Sequence, residues 1–139
     1  MSKIDFDKTL AAGLGAYNRK VGQWWVDQTR NKAHVAAYKN IAAHVVRCAQ
    51  KDSGFLIDYG CGTGLIMKRL VEALPAWNFL GIDGSKVMLS EAETWAASKR
   101  KKRQAAIEFG CAKLPDFSAP AAQADVIVFT FPNIVSVPS

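Results

Sequence analysis

The clearest pattern along the chain is a short apolar run, three closely spaced glycines and then a helical repeat. Phe55–Asp58 is typical of a buried strand. The turn that follows contains Gly60, Gly62 and Gly64, and apolar residues then recur at helical spacing until Pro75. This order predicts a strand, a glycine turn and a helix, an arrangement that brings backbone N–H groups and a helix N-terminus close to a ligand.

The same periodicities predict the other elements of an α/β fold. Strands are predicted at Asn78–Asp83, Ala105–Phe109 and Ala124–Phe131, and helices at about Asn31–Gln50 and from Ser85 to the basic residues that begin at Lys99. Two shorter helices are predicted within residues 1–30. Because strands and helices alternate, we expect a parallel sheet with right-handed crossover connections.

Composition places the chain among soluble globular proteins. Its 139 residues are 50% hydrophobic and 22% charged, which suits one domain with a modest core. No apolar run approaches the ~18 residues of a membrane-spanning helix. The polar N-terminus, MSKIDFDKTL, is unlike a signal peptide. A cytoplasmic location without membrane association is therefore expected.

Neither the cysteines nor the histidines have the spacing of a metal site. Cys48, Cys61 and Cys111 lie far apart and form no C-x-x-C pair, so neither a zinc site nor a disulfide framework is predicted. His34 and His44 lie ten residues apart on a predicted helix. We interpret both as ordinary surface or packing residues, and we expect no metal.

The net charge of +6 includes five consecutive basic residues, Lys99–Arg103. Such a run could bind phosphate or nucleic acid. It also falls at the end of a predicted helix, where cations complement the helix dipole and face water. The second interpretation is favoured, and a nucleic-acid partner is not expected.

The charge beside the glycine turn narrows the class of ligand. Asp58 stands two residues before the first glycine, and a pyrophosphate there would face a carboxylate in a poorly solvated crevice. The spacing is also G-x-G-x-G, with Leu65 at the sixth position of the dinucleotide fingerprint. A ligand ammonium group would suit Asp58, and a ligand carboxylate would suit the helix N-terminus. A nucleoside that carries an amino acid meets both demands.

A second acid follows at the end of the next predicted strand. Asp83 lies nineteen residues beyond Gly64, close to the ~20 expected for a carboxylate that binds ribose hydroxyls. Asp83 could instead only cap the next helix, although Ser85 could do so equally well. Two acids at two strand ends beside one glycine turn favour the binding role.

These motifs resemble those of a known enzyme family. The sequence D-x-G-C-G-T-G at Asp58–Gly64 looks like the first motif of the class I S-adenosylmethionine-dependent methyltransferases, and G-I-D-G-S-x-x-M-L from Gly81 resembles the second. The resemblance covers about residues 55–133. It implies a Rossmann-like sheet in the order 3-2-1-4, with the cofactor over the carboxyl ends of the strands. S-adenosylmethionine is the expected cofactor.

The resemblance also implies a set of cofactor-binding residues. Where the family has the aspartate of G-D-A-x-x-L-P, this chain has Cys111, so adenine recognition must depend on backbone groups near Cys111 and Ala112. Met88 would touch the adenine, or it is simply a core residue. The full expected set is Asp58, Gly60, Cys61, Gly62, Thr63, Gly64, Asp83, Gly84, Ser85, Met88, Cys111, Ala112, Phe129 and Thr130.

The chain is expected to divide into an N-terminal helical cap, residues 1–52, and a cofactor-binding half-domain, residues 53–139. In the family such helices cover the cofactor, so the cap's aromatic residues would form a pocket wall or would only pack on the sheet. The candidates are Tyr17, Trp24, Trp25 and Tyr38. Pro132 and Asn133 lie where the family places residues near the transferable methyl, but they would also suit a plain turn.

The family's complete domain has seven strands, and four are predicted here. Strand 4 would then present an unpaired apolar edge. A shortened chain, a split enzyme with a partner chain, and self-association are the alternatives, in that order. The favoured function is methyl transfer to a small molecule by direct displacement, with no general base identified. The alternatives are a cofactor- or partner-binding fragment without activity of its own, and an RNA methyltransferase.

Overall fold

The computed structural model describes residues 32–112 and 123–129. The described elements, in chain order, are α1 (Lys32–Cys48), β1 (Phe55–Tyr59), α2 (Leu65–Ala73), β2 (Asn78–Asp83), α3 (Lys86–Arg100), β3 (Ile107–Cys111) and β4 (Val126–Phe129). In this part of the chain every helix is too short or too polar to cross a bilayer. The predicted helices within residues 1–30, with Tyr17, Trp24 and Trp25, lie outside the described residues, as do Pro132 and Asn133.

The four strands form one parallel sheet in the order β3-β2-β1-β4, which confirms the predicted fold. The pairings bring Asp58 beside Gly81 and Val128, and bring Asp83 beside Cys111. The carboxyl ends of β1, β2 and β3 therefore meet at one edge of the sheet. Both predicted acids lie at that edge.

The third strand begins two residues later than the sequence predicts. The N–H of Ala106 donates to the side-chain oxygen of Asn78 at 2.8 Å, and the carbonyl of Ala105 accepts from Arg103 at 3.1 Å. Side chains therefore satisfy these backbone groups, and the ladder between β2 and β3 begins at Ile107. A propensity pattern could not show the long-range contact between Asn78 and Ala106.

The main core lies between the sheet and helices α1, α2 and α3. Every strand contributes to it, and all three helices turn apolar residues toward it, as their spacing predicts. Its buried members include Ala42, Val45, Leu56, Met67, Leu70, Phe79, Ile107 and Val128. α1 packs on the same core as the sheet, and the predicted division into residues 1–52 and 53–139 stays a prediction.

Trp77 closes this core at the amino ends of the strands. Its side chain is 1% exposed, and its ring N–H donates to the carbonyl of Lys51 at 3.1 Å. A Cβ at Gly54 would lie 2.8 Å from the tryptophan ring, so a glycine lets the chain pass close to it. Asp125 accepts from the N–H of Phe55 at 2.9 Å and thereby joins the beginnings of β1 and β4.

The basic run at Lys99–Arg103 has two parts. Lys99 and Arg100 form the last turn of α3, as predicted, and Lys101 and Lys102 are exposed. Arg103 differs, because its guanidinium donates to the carbonyl of Val71 in the last turn of α2 and to those of Leu74 and Trp77 beyond it. Arg103 therefore has a structural role, and only part of the basic run is a solvated surface.

Replacing Arg103 with alanine is expected to destabilise the fold by about 1–3 kcal/mol, because several carbonyls at the end of α2 would lose a charged donor. Chemical denaturation monitored by circular dichroism measures this free energy of unfolding. Lys102→Ala is the matched control, since Lys102 is exposed and adjacent. Equal stability of the two variants would contradict the structural role of Arg103.

Candidate functional site

The glycine turn between β1 and α2 depends on backbone conformations that side chains disfavour. Gly60, Gly62 and Gly64 have φ values of 73°, 56° and 83°, all in the left-handed region. Gly64 is the N-cap residue of α2, and no side chain caps the helix there. This confirms that the turn requires unusual dihedral angles.

Hydrogen bonds hold this glycine loop, residues 60–64, against the end of β2. The N–H groups of Gly60 and Cys61 donate to the carbonyl of Ile82, at 2.7 and 3.0 Å. The N–H of Gly62 donates to Oδ2 of Asp83 at 2.9 Å. The second predicted acid therefore fixes the position of the first predicted motif.

Asp83 is buried, with 3% of its surface exposed, and both carboxylate oxygens accept backbone hydrogen bonds. Oδ1 accepts from the N–H of Ser85 at 2.8 Å. Burial raises the pKa of Asp83, although hydrogen bonds from Ser85, Gly62 and Gly84 act in the opposite direction. The N-cap of α3 is Ser85, whose hydroxyl accepts from the N–H of Met88, so Asp83 is not that helix's cap residue.

Asp58 differs sharply from Asp83. It is 1% exposed, and within the described residues neither of its carboxylate oxygens has a hydrogen-bond partner. Burial, and secondarily the charge of Asp83, raises the pKa of Asp58 to about 8. The sequence predicts at Asp58 a carboxylate ready to receive an ammonium group, whereas the structure favours the neutral form of this acid when no cation is present.

Two titratable side chains near Asp58 come from α1 and from the glycine loop. Tyr38 on α1 is near enough that burial and Asp58 together raise the pKa of its hydroxyl. Cys61 in the glycine loop is buried, and burial followed by Asp58 and Asp83 raises the pKa of its thiol. Of the four aromatic residues predicted to form a wall, Tyr38 is the one that the structure describes, and it lies on the Asp58 side of α1.

Gly81 is a site residue that the sequence analysis missed. A Cβ on Gly81 would lie 2.8 Å from Met67 Sδ and from Phe109 Cδ1, and 2.9 Å from Cys61 Sγ. Since Gly81 is the β2 neighbour of Asp58, its missing side chain gives room to the packing around that acid. The available signal was a glycine inside a strand pattern, which often marks such a close approach.

The remaining predicted residues differ in their burial and in their contacts. Thr63 is buried, and buried Met88 lies over Gly62, where a Cβ would be 2.6 Å from its Cε. Cys111 is exposed beside Asp83, and the N–H of Ala112 already donates to the carbonyl of Asp83 at 3.1 Å. A contact from the Ala112 N–H to adenine would therefore compete with an existing hydrogen bond.

The two predicted residues of the last strand lie at the limit of the description. Phe129 ends β4 with 51% of its surface exposed, and its ring centroid is 5.9 Å from that of Tyr59. Thr130 lies outside the described residues. Their predicted contact with the cofactor stays a prediction.

Comparison with known families agrees with this geometry. A sequence profile of the methyltransferase domain matches residues 56–139, more than half of the chain. The chain belongs to the class I S-adenosylmethionine-dependent methyltransferase family. The resemblance carried by its two acid-containing motifs is thereby confirmed. Among curated proteins, no sequence matches this chain.

Solved structures show the same fold at low identity. Magnesium protoporphyrin IX methyltransferase from Synechocystis, solved with bound S-adenosylhomocysteine, is 19% identical with a TM-score of 0.69, and the match covers 88% of this chain and 57% of that one. The same enzyme has been solved with S-adenosylmethionine. A putative S-adenosylmethionine-dependent methyltransferase from Methanococcus maripaludis is 21% identical with a TM-score of 0.65, covering 81% and 50%. This chain thus spans about half the length of these proteins.

The residues of this site fit the family's cofactor. The glycine loop leaves no side chain between its backbone and a nearby ligand, and the carboxyl group of Asp58 has unused hydrogen-bonding capacity in a buried position. A cationic amino-acid head group supplies the donors that such a carboxyl lacks. Asp83 accepts from the N–H groups of Gly62 and Ser85, and a carboxylate has about four acceptor positions, so it retains acceptor capacity for a ligand.

Gly62→Ala is expected to lower the free energy of unfolding by about 1–3 kcal/mol, because it adds strain at positive φ and a contact with Met88 Cε. Gly84→Ala is the matched control, since a Cβ there meets only the Ala112 carbonyl at 3.6 Å. Adding Met88→Ala to Gly62→Ala should relieve the contact but not the strain, giving a non-additive double mutant cycle. Strict additivity would contradict the packing of Met88 over the loop.

Proposed function

We propose that this chain binds S-adenosylmethionine and supplies the cofactor-binding part of an enzyme that methylates a small molecule. The observation that carries the proposal is the buried, unpartnered Asp58 carboxyl beside a glycine loop that is fixed by a second acid. A buried polar group without a partner is costly in a folded protein, and a bound cation would remove that cost. Membership of the methyltransferase family supports the same ligand.

Each part of the site has a distinct role in this proposal. Asp58 receives the ammonium group of the methionine moiety, and the N-terminus of α2 faces the carboxylate of that same moiety. Asp83 accepts hydrogen bonds from the ribose hydroxyls through its remaining acceptor positions. Cys111 and Ala112 lie beside Asp83, at the place proposed for the adenine.

The cofactor, when bound, supplies a methyl group already activated by a positively charged sulfur. The described residues therefore need only bind and orient it, and no protein nucleophile is proposed. A base is required only for acceptors that must lose a proton, and no described residue is assigned that role. Acceptor binding is assigned to the whole protein, since this chain spans about half the length of the solved relatives.

A small-molecule acceptor agrees better with the structure than RNA does. Arg103 donates to backbone carbonyls, and Arg100 forms a bidentate pair with Glu93, at 2.7 and 3.2 Å. Lys99 also lies 3.6 Å from Glu72, so three of the five consecutive cations are engaged within the protein, which weakens the case for a phosphate-binding patch. The Synechocystis relative is named for a small-molecule substrate, magnesium protoporphyrin IX.

Asp83→Asn is expected to weaken binding of S-adenosylhomocysteine by tenfold or more, about 1.4 kcal/mol, because it perturbs both the loop and the ribose contact. Isothermal titration calorimetry measures the affinity, and thermal unfolding checks that the variant remains folded. Glu108→Gln is the matched control, since it removes an exposed acid from the adjacent strand. Unchanged affinity in folded Asp83→Asn would defeat the assigned site.

We further propose that the open side of β4 associates with a second copy of this chain when no other strand covers it. In the described sheet β4 is an outer strand, and Ile127 and Phe129 are 48% and 51% exposed on the same face. Apolar side chains beside unpaired strand backbone favour edge-to-edge pairing. S-adenosylmethionine binding does not depend on this association.

Sedimentation velocity over a range of concentrations tests that association. The unmodified chain is expected to form dimers whose fraction rises with concentration, and Phe129→Lys should lower that fraction by placing a charge on the exposed face. Glu108→Lys on the opposite outer strand should behave as the unmodified chain does. A monomer at all concentrations, or equal dimer fractions in all three proteins, would contradict the proposal.

A further inference from the structure

Among the described residues, the carboxyl group of Asp58 is buried without any contact that would compensate for its burial. It lies at the carboxyl end of β1, 1% exposed, with both oxygens unpartnered among the described residues. Asp83, in contrast, ends β2 two residues beyond Gly81, the register partner of Asp58, and has a backbone donor for each oxygen. The folded chain thus gives one buried acid hydrogen bonds that favour its ionised form and gives the other no such bonds among the described residues.

None of the described titratable neighbours of Asp58 carries a positive charge. Tyr38 faces it from α1, Cys61 from the glycine loop and Asp83 from β2. Each of these groups is either neutral or negative, so none can neutralise an Asp58 carboxylate. Because burial and Asp83 raise the pKa of Asp58 to about 8, most molecules carry a proton there at pH 7 when no ligand is bound.

We propose that binding of the cofactor's ammonium group displaces the proton of Asp58 into solvent, so that cofactor affinity rises with pH across the neutral range. The inference rests on the proposed S-adenosylmethionine site. The step is balanced: the neutral carboxyl loses one proton to buffer, and the resulting carboxylate pairs with an ammonium group that keeps its own protons. A buried ammonium group requires such a counter-charge, because an unpaired cation would be strongly disfavoured there.

This coupling also selects for the amino-acid part of the ligand. A nucleoside without an ammonium group, such as 5′-methylthioadenosine, offers nothing that would stabilise the Asp58 carboxylate. Such a ligand is expected to bind to the protonated protein and to release no proton. The number of protons released therefore reports directly on contact between Asp58 and the head group.

The test is isothermal titration calorimetry with S-adenosylhomocysteine at pH 7, in buffers of different ionisation enthalpy. The dependence of the observed heat on buffer enthalpy gives the number of protons released. We expect close to one for the unmodified chain and for Glu108→Gln, and near zero for Asp58→Asn. With 5′-methylthioadenosine we expect near zero for the unmodified chain. From pH 6 to pH 7 the affinity for S-adenosylhomocysteine should rise by nearly tenfold.

The outcomes separate this inference from the proposed function. Tight S-adenosylhomocysteine binding without proton release would overturn the inference and leave the cofactor site standing. The absence of S-adenosylhomocysteine binding by the unmodified chain would overturn both. Equal proton release by folded Asp58→Asn and the unmodified chain would assign the proton to another group and overturn the inference.

A second measurement on the ligand-free protein covers the case in which Asp58→Asn does not fold. Folded Asp58 keeps its proton up to about pH 8, whereas the unfolded chain loses it near the ordinary aspartate pKa of 3.8. The stability contributed by this group is thus present at low pH and is lost as the pH rises from about 4 to about 8. Saturating S-adenosylhomocysteine should reduce this loss. A loss of the same size with and without ligand would overturn the inference.

Discussion

The hydrogen bonds from the glycine loop to the end of β2 constrain everything else at the site. The N–H groups of Gly60 and Cys61 share the carbonyl of Ile82, and the N–H of Gly62 uses the Asp83 carboxylate. Such contacts require the positive φ values that glycine allows. They also require β1 and β2 to be paired in register, because the loop leaves one strand and bonds to the other. The site is therefore a direct consequence of sheet formation.

The two acids at this edge of the sheet show how environment gives one residue type two roles. Asp83 accepts hydrogen bonds from backbone N–H groups of the protein, and these bonds stabilise its ionised form. Asp58 is closer to the apolar packing and has no such donors among the described residues. Environments that separate the pKa values of neighbouring acids are typical of functional sites. Asp83 stabilises the geometry of the glycine loop, whereas the hydrogen-bonding capacity of Asp58 is unused among the described residues.

Local pattern predicted much of the fold, and long-range contacts account for the rest. The order of strands and helices, the glycine turn and both acids follow from short stretches such as Phe55–Gly64. The start of β3, by comparison, depends on Asn78, and the role of Arg103 depends on carbonyls about thirty residues earlier. The burial of Asp58 arises from α1 and β2 together. Sequence spacing shows which side chains reach the sheet edge, but their degree of solvation depends on tertiary packing.

Cofactor binding and acceptor choice have separate physical origins in this chain. The contacts that shape the glycine loop and the surroundings of Asp58 come from α1, β1, β2 and α3, all within residues 32–112. These residues use backbone geometry and two carboxyl groups, which suit a cofactor of fixed shape and charge. The exposed face of β4 has no comparable polar arrangement among the described residues; it presents Ile127 and Phe129. Under the proposed function, selection of the acceptor comes from groups placed around this site, while the described residues supply the geometry and charge that suit the cofactor.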